Sequence, residues 1–252
     1  MHSPSSPLLP KASLAAEPLP ADRTPSAREY CHERLGGEFA SALSTYDTLQ
    51  RVHTLVDSFL ADSMVSGKSF LDVGCGLGYF SQRLAERGAD VLACDLGPSL
   101  VEETRRRVGC RAVVADALRL VDHFGEQCFD GLVSSECIEH TPDPAQALRQ
   151  MVRVVKRGGL LSISTPNVVW YPVVRLATAL RMRPFDGYEN FSSWRSIRAV
   201  LRSSGAEIIR EQGLHLFPFQ LRLHRLSSWC DRHLQPLRGV MINLCVLARR
   251  VD

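Results

Sequence analysis

The feature that most limits what this chain can fold into is a regular alternation of short apolar runs with helix-periodic stretches, beginning at Ser69. The runs "SFLDV" (69–73), "DVLACD" (90–95), "RAVVAD" (111–116), "FDGLVSS" (129–135) and "LLSIST" (160–165) each read as a strand. Between them, "YFSQRLAERG", "GPSLVEETRRRVG" and "PAQALRQMVRVVKRGG" carry helical spacing, with Pro near a start or Gly at an end. Strands separated by helices at this spacing pair in parallel and are covered on both faces. A helix near 192–204, a strand near 206–211 and the apolar "VMINLCVLARR" follow. The pattern predicts an α/β, doubly wound, mostly parallel seven-stranded sheet.

The flanks of this core differ from it. Residues 1–27 are rich in Pro, Ser and Ala without periodicity and read as a disordered tail, leaving 28–252 as one domain. From Glu38 to Met64 apolar positions including Leu43, Tyr46, Leu49, Val52 and Val56 recur at helical steps. Eight cysteines without a C-x-x-C pair point to a reducing compartment and a cytoplasmic location. No apolar stretch reaches the ~18 residues of a membrane span. Residues 171–252 hold 13 Lys or Arg against 6 Asp or Glu, whereas residues 1–170 hold 17 against 21. The basic third suits an anionic partner or solvated helices, and the acidic remainder argues against a nucleic-acid track.

The first strand runs into D-x-G-x-G-x-G, formed by Asp72, Gly74, Gly76 and Gly78. In an open α/β sheet, ligands bind beyond the carboxyl ends of the strands. A dinucleotide fingerprint would need glycine where Tyr79 stands, and the Lys-Ser/Thr of a P-loop is missing. Instead, acids close the next two strands. Asp95 could accept from ribose hydroxyls and Asp116 from an exocyclic amine. So many carboxylates suit a positively charged nucleoside better than a pyrophosphate.

"FLDVGCGLGYF", "VLACDLGPSLV", "VVADA", "FDGLVSSECIEHTPDP" and "RGGLLSISTPN" together resemble the successive motifs of class I S-adenosylmethionine-dependent methyltransferases over about residues 38–215. The resemblance implies a Rossmann-like methyltransferase fold and S-adenosylmethionine as cofactor. By position, it puts Asp72, Gly74 and Gly76 around the methionine moiety, Gly78 among the cofactor-binding residues and Asp95 at the ribose. Leu96 would pack on adenine, with Asp116 and Ala117 at its edge.

After the fourth strand, Glu136, Glu139 and His140 stand at i, i+3 and i+4, one face if the segment is helical. They admit three uses. The carboxylates and imidazole could hold a divalent cation, Mg²⁺ or Mn²⁺, that activates an acceptor hydroxyl. His140 could act alone as general base. The cluster could also be structural. The E-x-x-E-H string is similar to that of the metal-using ubiquinone-biosynthesis O-methyltransferases and small-RNA 2′-O-methyltransferases. The resemblance implies a further histidine from a later segment, for which His215 is the candidate, although this chain has no histidine in the insertion where the ubiquinone-type enzymes carry theirs.

In such enzymes the acceptor is chosen by the N-terminal helix and the segments 168–191 and 213–238. Here these carry aromatics such as Trp170, Tyr171, Phe185 and Phe191, with Trp194 just beyond, and arginines such as Arg175, Arg181 and Arg183. They suit a small, aromatic or anionic acceptor, or are partly core. "QLRLHRL" (220–226) fits peripheral membrane contact. The expected activity is O-methylation of a small metabolite. An N-methyltransferase and a non-catalytic subunit that keeps the cofactor fold are the alternatives.

Overall fold

Each of the five apolar runs becomes a strand in the computed structural model, which describes residue 26 and residues 45–180, 187–218 and 223–252. The strands are β1 (Ser69–Val73), β2 (Asp90–Asp95), β3 (Arg111–Val114), β4 (Phe129–Ser135), β5 (Val155–Pro166), β6 (Ala206–Leu214) and β7 (Asn243–Arg250). They form one sheet in the order β3-β2-β1-β4-β5-β7-β6, parallel except for the antiparallel β7. Apart from Ser26, the proposed tail lies outside the described residues, as does the helical face before residue 45.

The strands are apolar because both faces are covered. Leu71, Leu132 and Leu161 stand side by side on β1, β4 and β5 with no exposure. Truncating one to alanine would cost about 2–5 kcal/mol. Around them run α1 (Thr45–Val52), α2 (Tyr79–Glu86), α3 (Pro98–Val108), α4 (Leu120–Phe124), α5 (Pro144–Val154), α6 (Tyr171–Ala179), α7 (Trp194–Ser203) and α8 (His224–His233). Their ends follow local chemistry. Pro98 and Pro144 sit in first turns, Asp143 accepts from the Gln146 N–H, and Ser193 and Ser196 form a capping box.

Two elements depart from the sequence pattern. The helix in "PAQALRQMVRVVKRGG" stops at Val154, and Val155–Gly159 already belong to β5. Arg250 explains the early stop: its guanidinium donates to the carbonyls of Val152, Arg153 and Val155, which a continuing helix would have used. The expected apolar face is buried at Val52 and Val56 but not at Leu49. Leu49 is 51% exposed, while Asp47, Thr48 and Arg51 are buried. The chain then passes through a π-helical turn, His53–Ser58, which buries Leu55 and Val56.

The strand order reverses between β1 and β4, so the crevice past their carboxyl ends is the ligand position of this architecture. The glycine run and the "ECIEH" segment meet there.

Candidate active site

At Gly74 (φ +74°) the chain turns back after β1, and an added β-carbon would lie 2.6 Å from Cys137 Sγ. Only glycine fits the bend and the contact together. Gly76 donates to Asp95 Oδ2 at 3.0 Å, and Gly97 donates to Asp95 Oδ1 at 3.0 Å. The carboxylate closing β2 is thus fixed through both of its oxygens. Past β3, Asp116 Oδ1 accepts from the Leu118 N–H at 2.9 Å.

These groups line one cleft. Its wall includes Gly74, Gly76, Asp95, Leu96, Asp116 and Ala117, together with Glu136 and His140. Two expected cofactor residues are not on it. Asp72 is buried behind the bend and accepts from Ser81 Oγ at 2.5 Å; burial pushes its pKa up to about 7, against the pull of that hydrogen bond. Gly78, at φ +79°, caps α2 and packs toward Thr104 and Val108.

The second constellation is rearranged as well. Only Ile138–His140 forms a turn of 3₁₀ helix, and Glu136 precedes it in the left-handed region at φ +51°. The three residues therefore do not share a helical face. Glu136 accepts from Ser164 Oγ at 2.9 Å, and burial raises its pKa despite the nearby Arg51 charge. Glu139 is sealed beneath the cleft and accepts from Thr165 Oγ1 at 3.1 Å. Its pKa is pushed well up by burial and by Glu136. His140 lies 2.9 Å from the Tyr188 carbonyl through Nδ1 and 3.7 Å from Glu139 through Nε2. A carbonyl oxygen only accepts, so Nδ1 carries a hydrogen, and Nε2 is the nitrogen that a neutral ring would present as an acceptor.

His215 does not join this group. It is fully buried, 3.0 Å from Asp47 of α1 and 3.8 Å from Asp231. The expected metal set Glu136, Glu139, His140 and His215 is not brought together, and no group of three such donors forms a metal cage among the described residues. The residues present do not fit a bound Mg²⁺ or Mn²⁺.

Arg51 escaped the sequence reading. It is the single Lys or Arg on the cleft wall among the described residues. Its guanidinium donates to both Asp47 oxygens, at 3.3 and 2.9 Å, and to Ser135 Oγ at 2.7 Å. The available signal was the acid–arginine spacing Asp47/Arg51 at i, i+4. None of the described aromatics expected near the acceptor lines this cleft, whose rings besides His140 are Tyr79 and Phe80. Trp170 and Trp194 instead donate to the carbonyls of Val240 and Arg238, and Tyr171 meets Phe191 edge-on. Phe185, Arg181 and Arg183 lie outside the described residues.

The wall thus joins three carboxyl side chains, Asp95, Asp116 and Glu136, to one guanidinium. That set fits a cationic nucleoside carrying its own carboxylate, and not a diphosphate.

Comparison with known proteins agrees. Residues 71–163 match the family described as "Methyltransferase domain". A ubiquinone biosynthesis O-methyltransferase of Xanthomonas axonopodis is 34% identical over 173 residues, 65% of this chain and 72% of that protein. The protein of that name from Hahella chejuensis is 29% identical over 210 residues, 79% of this chain and 88% of that one. Among solved structures, magnesium protoporphyrin IX methyltransferase from Synechocystis, with bound SAH, shares the fold at a TM-score of 0.64. The identity is 17%, over 88% of this chain and 97% of that one. An S-adenosylmethionine-dependent methyltransferase from Thermotoga maritima gives 0.66 at 16% identity, over 88% and 99%. With the glycine bend, the strand-end acids and these relatives in agreement, the chain belongs to the class I S-adenosylmethionine-dependent methyltransferases.

Proposed function

We propose that this methyltransferase acts on a hydroxyl oxygen of a small molecule, with His140 as general base. S-adenosylmethionine, when bound, supplies an electrophilic methyl that an aligned and deprotonated acceptor can take. Asp95 accepts from the ribose hydroxyls, and Asp116 with Ala117 and Leu96 frames the adenine. Gly74 and Gly76 offer bare backbone, and Arg51 donates to the methionine carboxylate. Asp72 and Gly78 hold the bend in shape from behind. Glu136 shapes the acceptor side, while Glu139 supports it from below.

One observation carries the base assignment: the Tyr188 carbonyl takes the Nδ1 hydrogen, so the cleft-lining ring offers Nε2 to an acceptor proton. The O-methyltransferase names of the relatives support oxygen over nitrogen. The acceptor has an apolar part in this reading. Ten of the fourteen exposed large apolar side chains among the described residues fall in 168–180 and 223–240, around the segments expected to choose it. The same surface suits peripheral membrane contact, although no described helix is long and apolar enough to cross a membrane.

His140→Gln tests the base. Turnover should fall about 10²–10⁴-fold, with unchanged calorimetric affinity for S-adenosylhomocysteine. The wild-type enzyme should keep its rate in excess chelator. Near-normal turnover of His140→Gln would remove His140 from the reaction, and loss of rate on chelation would restore a metal to it.

A further inference from the structure

Among the described residues beyond the cleft, a buried cluster of ionisable side chains, Asp231, His215 and Asp47, has no use in the reaction so far. It begins at α8, where Asp231 Oδ1 accepts the backbone N–H of His215 at 2.8 Å. His215 follows β6 with φ +59°, a left-handed backbone that few side-chain-bearing residues adopt. That turn aims its ring between two acids. Nδ1 stands 3.8 Å from Asp231 Oδ2 and 3.4 Å from Ser227 Oγ, and Nε2 stands 3.0 Å from Asp47 Oδ1. Asp47 in turn grips the Nε and Nη2 of Arg51. Every member is buried or nearly so, and His215 has no exposure at all. Burial would raise the Asp47 pKa, yet Arg51 and His215 hold it down at about 2.

Buried charged groups are costly unless each has a partner, and this row of partners ends at the cleft wall. An arginine has many rotamers, and held by one carboxylate it would still pivot with that carboxylate. A second contact on the far side of Asp47 removes the pivot. We propose that His215 is a positioning residue: wedged between Asp231 and Asp47, it locks Asp47 and so fixes the Arg51 guanidinium where the cofactor's methionine end arrives. This rests on the reading that Arg51 receives the methionine carboxylate. It ties α8 and the end of β6, both far from the glycine bend in sequence, to cofactor affinity.

Calorimetry with two ligands tests it. S-adenosylhomocysteine carries the carboxylate, whereas 5′-methylthioadenosine keeps the nucleoside and lacks it. His215→Gln should weaken S-adenosylhomocysteine about tenfold, as for loss of one charge-assisted hydrogen bond, and leave 5′-methylthioadenosine unchanged. Arg51→Met should weaken S-adenosylhomocysteine at least as much, and the double variant should lose no more than Arg51→Met alone. If His215→Gln lowers the yield of folded protein, Asp231→Asn carries the same comparison from the other end of the row. Wild-type affinity for S-adenosylhomocysteine in His215→Gln, beside a weakened Arg51→Met, overturns the positioning role while sparing Arg51. So does equal weakening of both ligands in His215→Gln. Wild-type affinity in Arg51→Met overturns the reading of Arg51 itself.

Discussion

Placing alanine at Gly74 asks whether the bend after β1 is braced by the segment after β4. A side chain in the left-handed region costs about 1–2 kcal/mol. The new β-carbon would stand 2.6 Å from Cys137 Sγ and 2.7 Å from Cys137 Cβ. Comfortable carbon contacts lie near 3.5–4.0 Å, so Cys137 must retreat by about 1 Å. Cys137 is packed against the large core cluster, and overpacking of this kind costs about 1–3 kcal/mol. Gly74→Ala should therefore lose about 2–5 kcal/mol in urea unfolding and bind S-adenosylhomocysteine more weakly. Cys137→Gly removes the steric part and leaves the backbone part. The double variant should then be more stable than the two single losses predict, by about 1–3 kcal/mol. If the two losses add within about 0.5 kcal/mol, Gly74 and Cys137 do not press on each other and the reasoning is wrong.

Two further outcomes are expected. Asp72 has a folded-state pKa near 7 against an ordinary 3.8, so the folded chain binds the extra proton between those values. Its contribution is fully present below about pH 4 and is lost as pH rises through 7, amounting to roughly 4 kcal/mol at most. Asp72→Asn should remove that slope, read as a stability difference from wild type that shifts between pH 5 and pH 8 in urea unfolding. A difference that stays constant with pH would rule the account out. The second concerns the exposed apolar side chains of α6 and α8, among them Leu176, Leu226 and Trp229. Co-sedimentation with anionic lipid vesicles should drop when Leu176 and Trp229 are both replaced by Ser. No sedimentation of the wild-type protein would discard membrane contact.

Much of the fold could be read in advance because local pattern and tertiary role coincide in β1 to β4. Strands covered on both faces are mostly apolar, and the acids Asp95, closing β2, and Asp116, two residues past β3, stand where those strands end. Legibility failed where distant contacts decide. Val155–Gly159 continues a helical pattern, yet the Arg250 side chain, almost a hundred residues later, takes up the carbonyls that would have extended the helix. Glu136, Glu139 and His140 have helical spacing, but the left-handed Glu136 breaks it and sends each side chain to a different partner. Arg51 and His215 gave weaker signals still. Arg51 looks like an ordinary member of an amphipathic stretch, and His215 stands out only as a metal candidate, until α1, β6 and α8 are assembled.

The hold on His140 has a consequence for how such an enzyme diversifies. The ring is hung on the main-chain oxygen of Tyr188, and the neighbouring Asn190 N–H returns a hydrogen bond to the Glu139 carbonyl. A peptide carbonyl is offered by every amino acid, so the side chain at 188 can be exchanged without removing the tether. Libraries that randomise this strip, keeping its length, should therefore yield clones that differ in side chain at 188 yet hold the His140 ring in the same place.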